Sequence, residues 1–201
     1  MARTATKPPP LQPLKDRQVI VGVCGGIAAY KVADVVSKLA QLGAVVNVCM
    51  TAAATKFVGP LTFEALSGRP VRTSTFELVE SSDPQHISLT DGADLMLVAP
   101  ATANLIAKAA CGICDDLVSL MINAAGCPVV FAPAMNARMW ANPITGQNVA
   151  KLQGLGYRFI GPEDGWLACR SIGPGRMSEP GKIVEEITSL LMATKRPNAE
   201  C

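Results

Sequence analysis

Short runs of consecutive apolar residues recur along this chain, each closed by Gly, Pro or Asn, and alternate with longer stretches of helical periodicity. Val19-Ile20-Val21 and residues 45–50, 94–99 and 128–132 read as strands buried on both faces, because a strand covered on one side only alternates apolar with polar. Gly25-Gly26 turns the chain into a helix over 27–42 that ends at Gly43. Pro60 opens a helix through Leu66, closed by Gly68, and helical stretches follow near 102–110 and 115–125. Asn142-Pro143 pairs an N-cap with Pro at the first helical position and starts a helix to about Gln153. Residues 157–160 form a last strand, and Pro180 starts a final helix. Strands alternating with helices predict the α/β class, a single domain whose parallel sheet carries helices on both faces.

Residues 162–179 interrupt this rhythm. They are rich in Gly and Pro, and so long a connection inside a compact domain is usually a lid or binding loop. The expectation is a flap over the site, with Gly165, Gly173 and Gly175 allowing hinge motion. Outside the domain, expected over 18–194, residues 1–17 read as a disordered Pro-rich arm and 195–201 as a tail. The arm has no apolar core, so it reads as neither signal peptide nor anchor. The apolar stretch 117–135 is broken by Asn123, Gly126 and Pro128 and reads as helix, turn and strand instead of a membrane span. A cytoplasmic protein is expected.

Composition adds two points. The formal charge of +2 is spread without blocks, which argues against nucleic acid and acidic membranes as partners. With 49% hydrophobic and only 17% charged residues, a soluble monomer would have difficulty covering its surface, which favours an oligomer. The seven cysteines are scattered and odd in number, unlike a secreted disulfide framework. Cys111-Gly112-Ile113-Cys114 has C-x-x-C spacing, but a second ligand pair is missing and His86 is the only histidine. No metal site is expected; the cysteines read as small residues in or beside a buried helix.

Ligands of open α/β sheets sit beyond the carboxyl ends of the strands, which directs attention to the loops there. Gly25 and Gly26 let backbone N–H groups approach an anion at a helix start. Ile27 stands where a P-loop needs Lys, and residues 45–57 hold no Asp or Glu to take a dinucleotide's ribose, so a mononucleotide fits better than NAD. Thr51, Thr102, Ala103 and Asn104 are further donors, although either threonine could simply cap a helix. Beyond the strand at 128–132, Asn136 offers an amide that both donates and accepts, while Met139 and Trp140 are as readily core as site. Cys169 lies in the Gly-rich segment, where a buried apolar role for a cysteine is weakened.

The run PAMNARMW (133–140), with VCGGIAAYK (23–31), HISL leading to VAPATAN (86–104) and LACRSIGPGRMSEP (167–180), resembles the homo-oligomeric flavin-containing cysteine decarboxylases, in the family's order and over roughly residues 18–192. The resemblance implies a Rossmann-like (flavodoxin-like) domain, FMN as cofactor, and 4′-phosphopantothenoylcysteine as small-molecule substrate, decarboxylated to 4′-phosphopantetheine in coenzyme A biosynthesis. It aligns Gly25, Gly26, Ile27, Thr51, Ala53, Phe57, Thr102, Ala103, Asn104, Leu105 and Ala134 with flavin contacts, and Asn136, Met139 and Ala168 with substrate contacts. It implies that His86 serves the oxidation step, that Asn136 holds the substrate carboxylate and that Cys169 donates the final proton. A thiol is largely protonated at neutral pH, as a donor must be. Arg170-Ser171 departs from the family's common Gly-Asp after the cysteine; Arg170 reads equally as a phosphate contact or a solvated side chain. The family forms trimers, or dodecamers of trimers, and many members carry a fused ligase; for this chain a separate ligase is the expectation.

Three rivals stay open. Peptidyl-cysteine decarboxylases of lantibiotic-type maturation resemble this chain but lack the flap cysteine, so Cys169 speaks against them. A non-catalytic flavin-binding regulatory module is disfavoured by His86, Asn136 and Cys169 occurring together, and the related flavin prenyltransferases lack the PxMNxxMW run.

Overall fold

The computed structural model describes residues 12–75 and 89–194. Strands β1 (Gln18–Val23), β2 (Val45–Met50), β3 (Leu95–Ala101), β4 (Val129–Pro133) and β5 (Arg158–Phe159) form one sheet in the order β2-β1-β3-β4-β5, every pairing parallel. The chain winds outward from β1 to β2, then returns to set β3 on the other side of β1. Such a reversal opens a crevice at the carboxyl ends of the two neighbouring strands.

The described helices are α1 (Ala29–Gln41), α2 (Pro60–Ser67), α3 (Ala103–Cys111), α4 (Leu117–Ala124), α5 (Ala137–Trp140), α6 (Pro143–Gly154) and α7 (Pro180–Ala193), with a short 3-10 turn at Ala54–Lys56. Alternate residues of the all-apolar strands serve opposite layers, as the strand period of two dictates. Val19, Val21, Leu95, Leu97 and Val130 pack against Val32, Phe63 and Ile183 of α1, α2 and α7. Ile20, Met96, Val98 and Phe131 pack against Ile106, Val118 and Leu152 of α3, α4 and α6. Phe131 centres the second layer, its ring stacked on Phe159 at 5.2 Å and tilted against Tyr157 at 5.9 Å. Truncating such a ring to Ala costs about 3–5 kcal/mol. Cys24 and Cys49 are buried in this layer; burial pushes the Cys49 thiol up to about 12 and raises that of Cys24 as well, so both stay protonated.

The elements begin and end close to the sequence signals. Gly68 closes α2 in the left-handed conformation (φ +68°), and Asn142 caps α6 by accepting from the Ile144 amide at 2.8 Å. The first helix starts at Ala29, two residues later than expected, because Gly26 and Ala28 are spent on turns in which their carbonyls accept from Ala29 and Lys31. The last strand shrinks to two residues, and the β3–β4 register shifts between Val98 and Ala101, where Pro100 has no N–H for the ladder.

Residues 162–179 differ most from expectation. They contain an antiparallel ribbon of β6 (Glu163–Trp166) and β7 (Ile172–Arg176). Its glycines serve close approach. At Gly175 φ is +121°, a Cβ would collide with the Met135 carbonyl oxygen, and the Met135 amide donates to the Gly175 carbonyl at 2.9 Å. A Cβ on Gly165 would lie 2.7 Å from Cδ of Arg176, and one on Gly173 would lie 3.2 Å from Ala137. The ribbon is thereby fastened to the loop that leaves β4, and Lys182 pairs with Glu163 at 2.9 Å at its foot.

Candidate functional site

A cavity of about 1040 Å³ opens at the carboxyl ends of β1, β2, β3 and β4, with the ribbon along one side. Gly25, Gly26 and Ile27 enter it from the β1–α1 turn, Thr51 and Ala53 from the exit of β2, and Thr102, Ala103, Asn104 and Leu105 from the start of α3. Ala134, Asn136 and Met139 follow β4, and Ala168 and Cys169 come from the ribbon's turn. Phe57 is half-exposed and stands outside this lining. Trp140 is partly exposed and also outside it, so neither it nor Met139 is core. His86 lies outside the described residues.

One end of the cavity is built from backbone. A Cβ on Gly25 would collide with Ala53, so glycine there lets the exits of β1 and β2 touch. Gly26 has room, with Pro100 and Thr102 carbons at 3.7 and 3.8 Å from where its Cβ would stand. Thr102 caps α3 by accepting from the Leu105 amide at 3.3 Å, and Thr51 accepts from the Ala54 amide at 3.2 Å. Thr102 therefore caps α3, while Thr51 only braces the 3-10 turn whose N-cap is Ala53, and both still face the cavity. The first-turn N–H groups of Ala103 and Asn104 fall outside the intrahelical ladder, and the positive ends of α1 and α3 flank one space. Neutral donors of this kind suit a phosphate monoester. The apolar side chains of Ile27, Leu105 and Met139 suit an aromatic ring system, so the residues present fit a flavin mononucleotide.

The other end carries side-chain chemistry. Asn136 caps α5, its Oδ1 accepting from the Met139 amide at 2.8 Å. That bond fixes which way the amide faces and leaves the NH2 group to donate. Cys169 is exposed on the ribbon's turn, with Sγ 3.1 Å from the Ser171 hydroxyl. Arg170 between them is exposed, stands outside the cavity lining and holds φ +63°. A residue with a Cβ is strained there by roughly 1–2 kcal/mol, which is why glycine is the easier occupant. Cys111 is exposed at the last residue of α3 and Cys114 is partly buried, so neither is a core residue.

Four charged residues of the cavity wall escaped the reading of the sequence. Lys108 pairs with Asp115 at 2.6 Å and Asp116 at 2.8 Å. Burial pulls the Asp116 carboxyl up, but Lys108 and the Ser119 amide and hydroxyl together outweigh it and hold the group below the ordinary carboxylate range. Hydrogen bonds that Lys108 donates to those carboxylates raise its own pKa in turn. Lys31 and Arg176 also line the cavity, and both donate to Oε1 of Glu179, Lys31 at 3.2 Å. The signals were present, in the lysine closing VCGGIAAYK and the arginine of GPGRM, but a charge on an amphipathic element reads first as a solvated face.

Comparison with known proteins agrees with this architecture. The Flavoprotein family model matches residues 9–192. The coenzyme A biosynthesis bifunctional protein CoaBC of Bacillus subtilis is 49% identical over 172 residues, covering 86% of this chain and 42% of that protein. Its namesake in Mycolicibacterium smegmatis is 47% identical over 174 residues, with 87% and 41% covered. The chain thus spans less than half the length of these relatives. Among solved structures, the FMN-dependent cysteine decarboxylase SpaF superposes with a TM-score of 0.77 at 34% identity, covering 90% of this chain and 97% of that one. A PPC decarboxylase mutant complexed with pantothenoylaminoethenethiol superposes with a TM-score of 0.76 at 29% identity, covering 86% and 97%.

Proposed function

This chain belongs to the Flavoprotein family, and from that premise we propose that it is an FMN-dependent enzyme that decarboxylates 4′-phosphopantothenoylcysteine to 4′-phosphopantetheine. The observation that carries the reading is the meeting of Asn136 and Cys169 on one cavity whose opposite end offers helix-start N–H groups to a phosphate. The relatives named for coenzyme A biosynthesis and the PPC decarboxylase neighbour support the substrate class.

A carboxylate beside an ordinary amine-bearing carbon cannot leave, because the electron pair has nowhere to go. When bound, FMN supplies the two-electron chemistry that turns the cysteine CH2–SH into a thioaldehyde and returns the electrons afterwards. The C=S group then accepts the pair released with CO2, giving an enethiol. In this scheme Asn136 binds the carboxylate with its free NH2 and, being neutral, does not resist the loss of negative charge. His86 takes the thiol proton, a role that rests on the family resemblance. Cys169 delivers a proton to the enethiol carbon, and the Ser171 hydroxyl 3.1 Å away stabilises the thiolate left behind.

Ile27, Tyr30 and Trp166 at the cavity leave apolar surface exposed, which supports a homo-oligomer; the trimer, or dodecamer of trimers, rests on the family resemblance. No described helix is long and apolar enough to cross a membrane, and free cysteines suit the cytoplasm.

Incubating the flavin-loaded protein with 4′-phosphopantothenoylcysteine and analysing the product by mass spectrometry tests the assignment. The wild type releases 4′-phosphopantetheine; Cys169→Ser accumulates a decarboxylated product lighter by two hydrogens, with the flavin left reduced. Phosphopantetheine made by Cys169→Ser at the wild-type rate removes Cys169 as the donor, and no decarboxylation by the wild type removes the function.

A further inference from the structure

Two charged groupings line the cavity among the described residues, and they carry opposite excess charge. Lys108 pairs with Asp116 on the lining and with Asp115 outside it, a grouping with a negative excess that leaves no uncompensated cation on its wall. Lys31 and Arg176 share the single carboxylate of Glu179, leaving a positive excess on theirs. The second grouping is built in place. The Arg176 side chain lies across the ribbon over Gly165, where a Cβ would crowd Cδ at 2.7 Å and Nη1 at 2.8 Å. Only Nη2 is engaged by Glu179, so most of the guanidinium's five donors remain for a ligand.

The decarboxylase reading, on which this inference rests, gives the substrate two anionic ends. A cation against the reacting carboxylate would stabilise the ground state more than a transition state that is losing charge to CO2, and would slow the reaction. Neutral Asn136 suits that end. The cofactor phosphate has its own neutral cradle at the starts of α1 and α3. The remaining anion is the phosphate monoester at the far end of the substrate. A planar arginine fork beside a lysine point charge matches its oxygens.

We propose that Arg176, assisted by Lys31, is the subsite that recognises the substrate's terminal phosphate and makes the enzyme select phosphorylated over unphosphorylated pantothenoylcysteine. Glu179 holds the two cations in position without cancelling them.

Steady-state kinetics of Arg176→Gln on both substrates tests this, with flavin stoichiometry measured on the same sample. KM for 4′-phosphopantothenoylcysteine should rise about ten- to hundredfold, the worth of one or two charge-assisted hydrogen bonds. KM for pantothenoylcysteine should move far less, flavin content should hold, and Arg176→Lys should recover part of the preference. Equal losses on both substrates make Arg176 a packing residue and overturn the inference. Loss of flavin assigns the cations to the cofactor phosphate and overturns it equally. An unchanged preference in the variant does the same while leaving the decarboxylase reading intact. Failure of the wild type to process either substrate overturns that reading and this inference together.

Discussion

Asn136 divides its amide between two tasks, and this separates its structural from its chemical role. The oxygen caps α5 by accepting from the Met139 amide, and the NH2 is left for a substrate carboxylate. Aspartate caps a helix as well as asparagine, so Asn136→Asp keeps the local fold. It removes the donor and sets a like charge against the bound carboxylate in a partly desolvated site. Turnover should fall at least about a hundredfold while flavin content and melting temperature hold. Activity within a few-fold of wild type removes Asn136 as the carboxylate anchor. At this scale the site was half legible in the sequence. Asn136 and Cys169 stood out because each falls within a run that resembles the family's motifs, although Asn136 also has the structural task of capping α5. Lys108 and Arg176 did not, because only the folded backbone turns their ends into the cavity.

The elements show which patterns carry structure in one dimension. Parallel strands buried on both faces and helices bounded by Pro and Gly were legible, since each needs a local run or cap. The ribbon was not. Its strands, EDGW and IGPGR, lack alternation, and Trp166 and Ile172 remain exposed. It is held by backbone contact with the β4 exit, which leaves no mark in the pattern. Gly175→Ala should therefore undock it, because a Cβ meets the Met135 carbonyl and φ +121° is closed to alanine. The expected loss is more than about 2 kcal/mol, with cleavage by protease appearing within 162–179. An unaltered melting curve and cleavage pattern would show that the ribbon is not anchored there.

At α4 the capping box of Asp116 and Ser119 is coupled to the ion pair with Lys108. The folded state holds the Asp116 proton more weakly than the unfolded chain does. Its stabilising contribution is therefore complete above the unfolded carboxylate pKa and is lost as pH falls through the lower, folded value. Asp116→Asn keeps a capping oxygen but cannot titrate. The variant should be less stable than wild type near neutrality, and the gap should close below about pH 4. A gap that widens in acid would contradict the assignment. Denaturant midpoints measured across pH decide between them.

At the scale of the whole molecule, apolar surface has been spent on something besides this chain's own core. Ile27 is 58% exposed, Tyr30 60% and Ile172 78%, all on or near the ribbon and cavity. Such a margin fits burial against further copies. Sedimentation of the flavin-loaded protein should give three 21.0 kDa chains or a multiple of three. A monomer at micromolar concentration would leave these side chains unexplained.

One cysteine of the inner layer turns the sheet into its own clock. Cys24 follows β1 at the cavity wall and Cys49 lies within β2, both buried, while Cys111 and Cys169 are exposed. A small thiol reagent in native buffer should consume the exposed thiols first and the partly exposed Cys114 and Cys127 after them, and then wait. Cys49, which stands outside the cavity lining, can react only when β2 leaves the sheet, so under excess reagent its labelling rate is the opening rate itself, read without denaturant. Flavin binds only the folded state and should lengthen that wait by one plus the ratio of free flavin to its Kd; labelling of Cys49 as fast as the exposed thiols would mean the sheet opens locally.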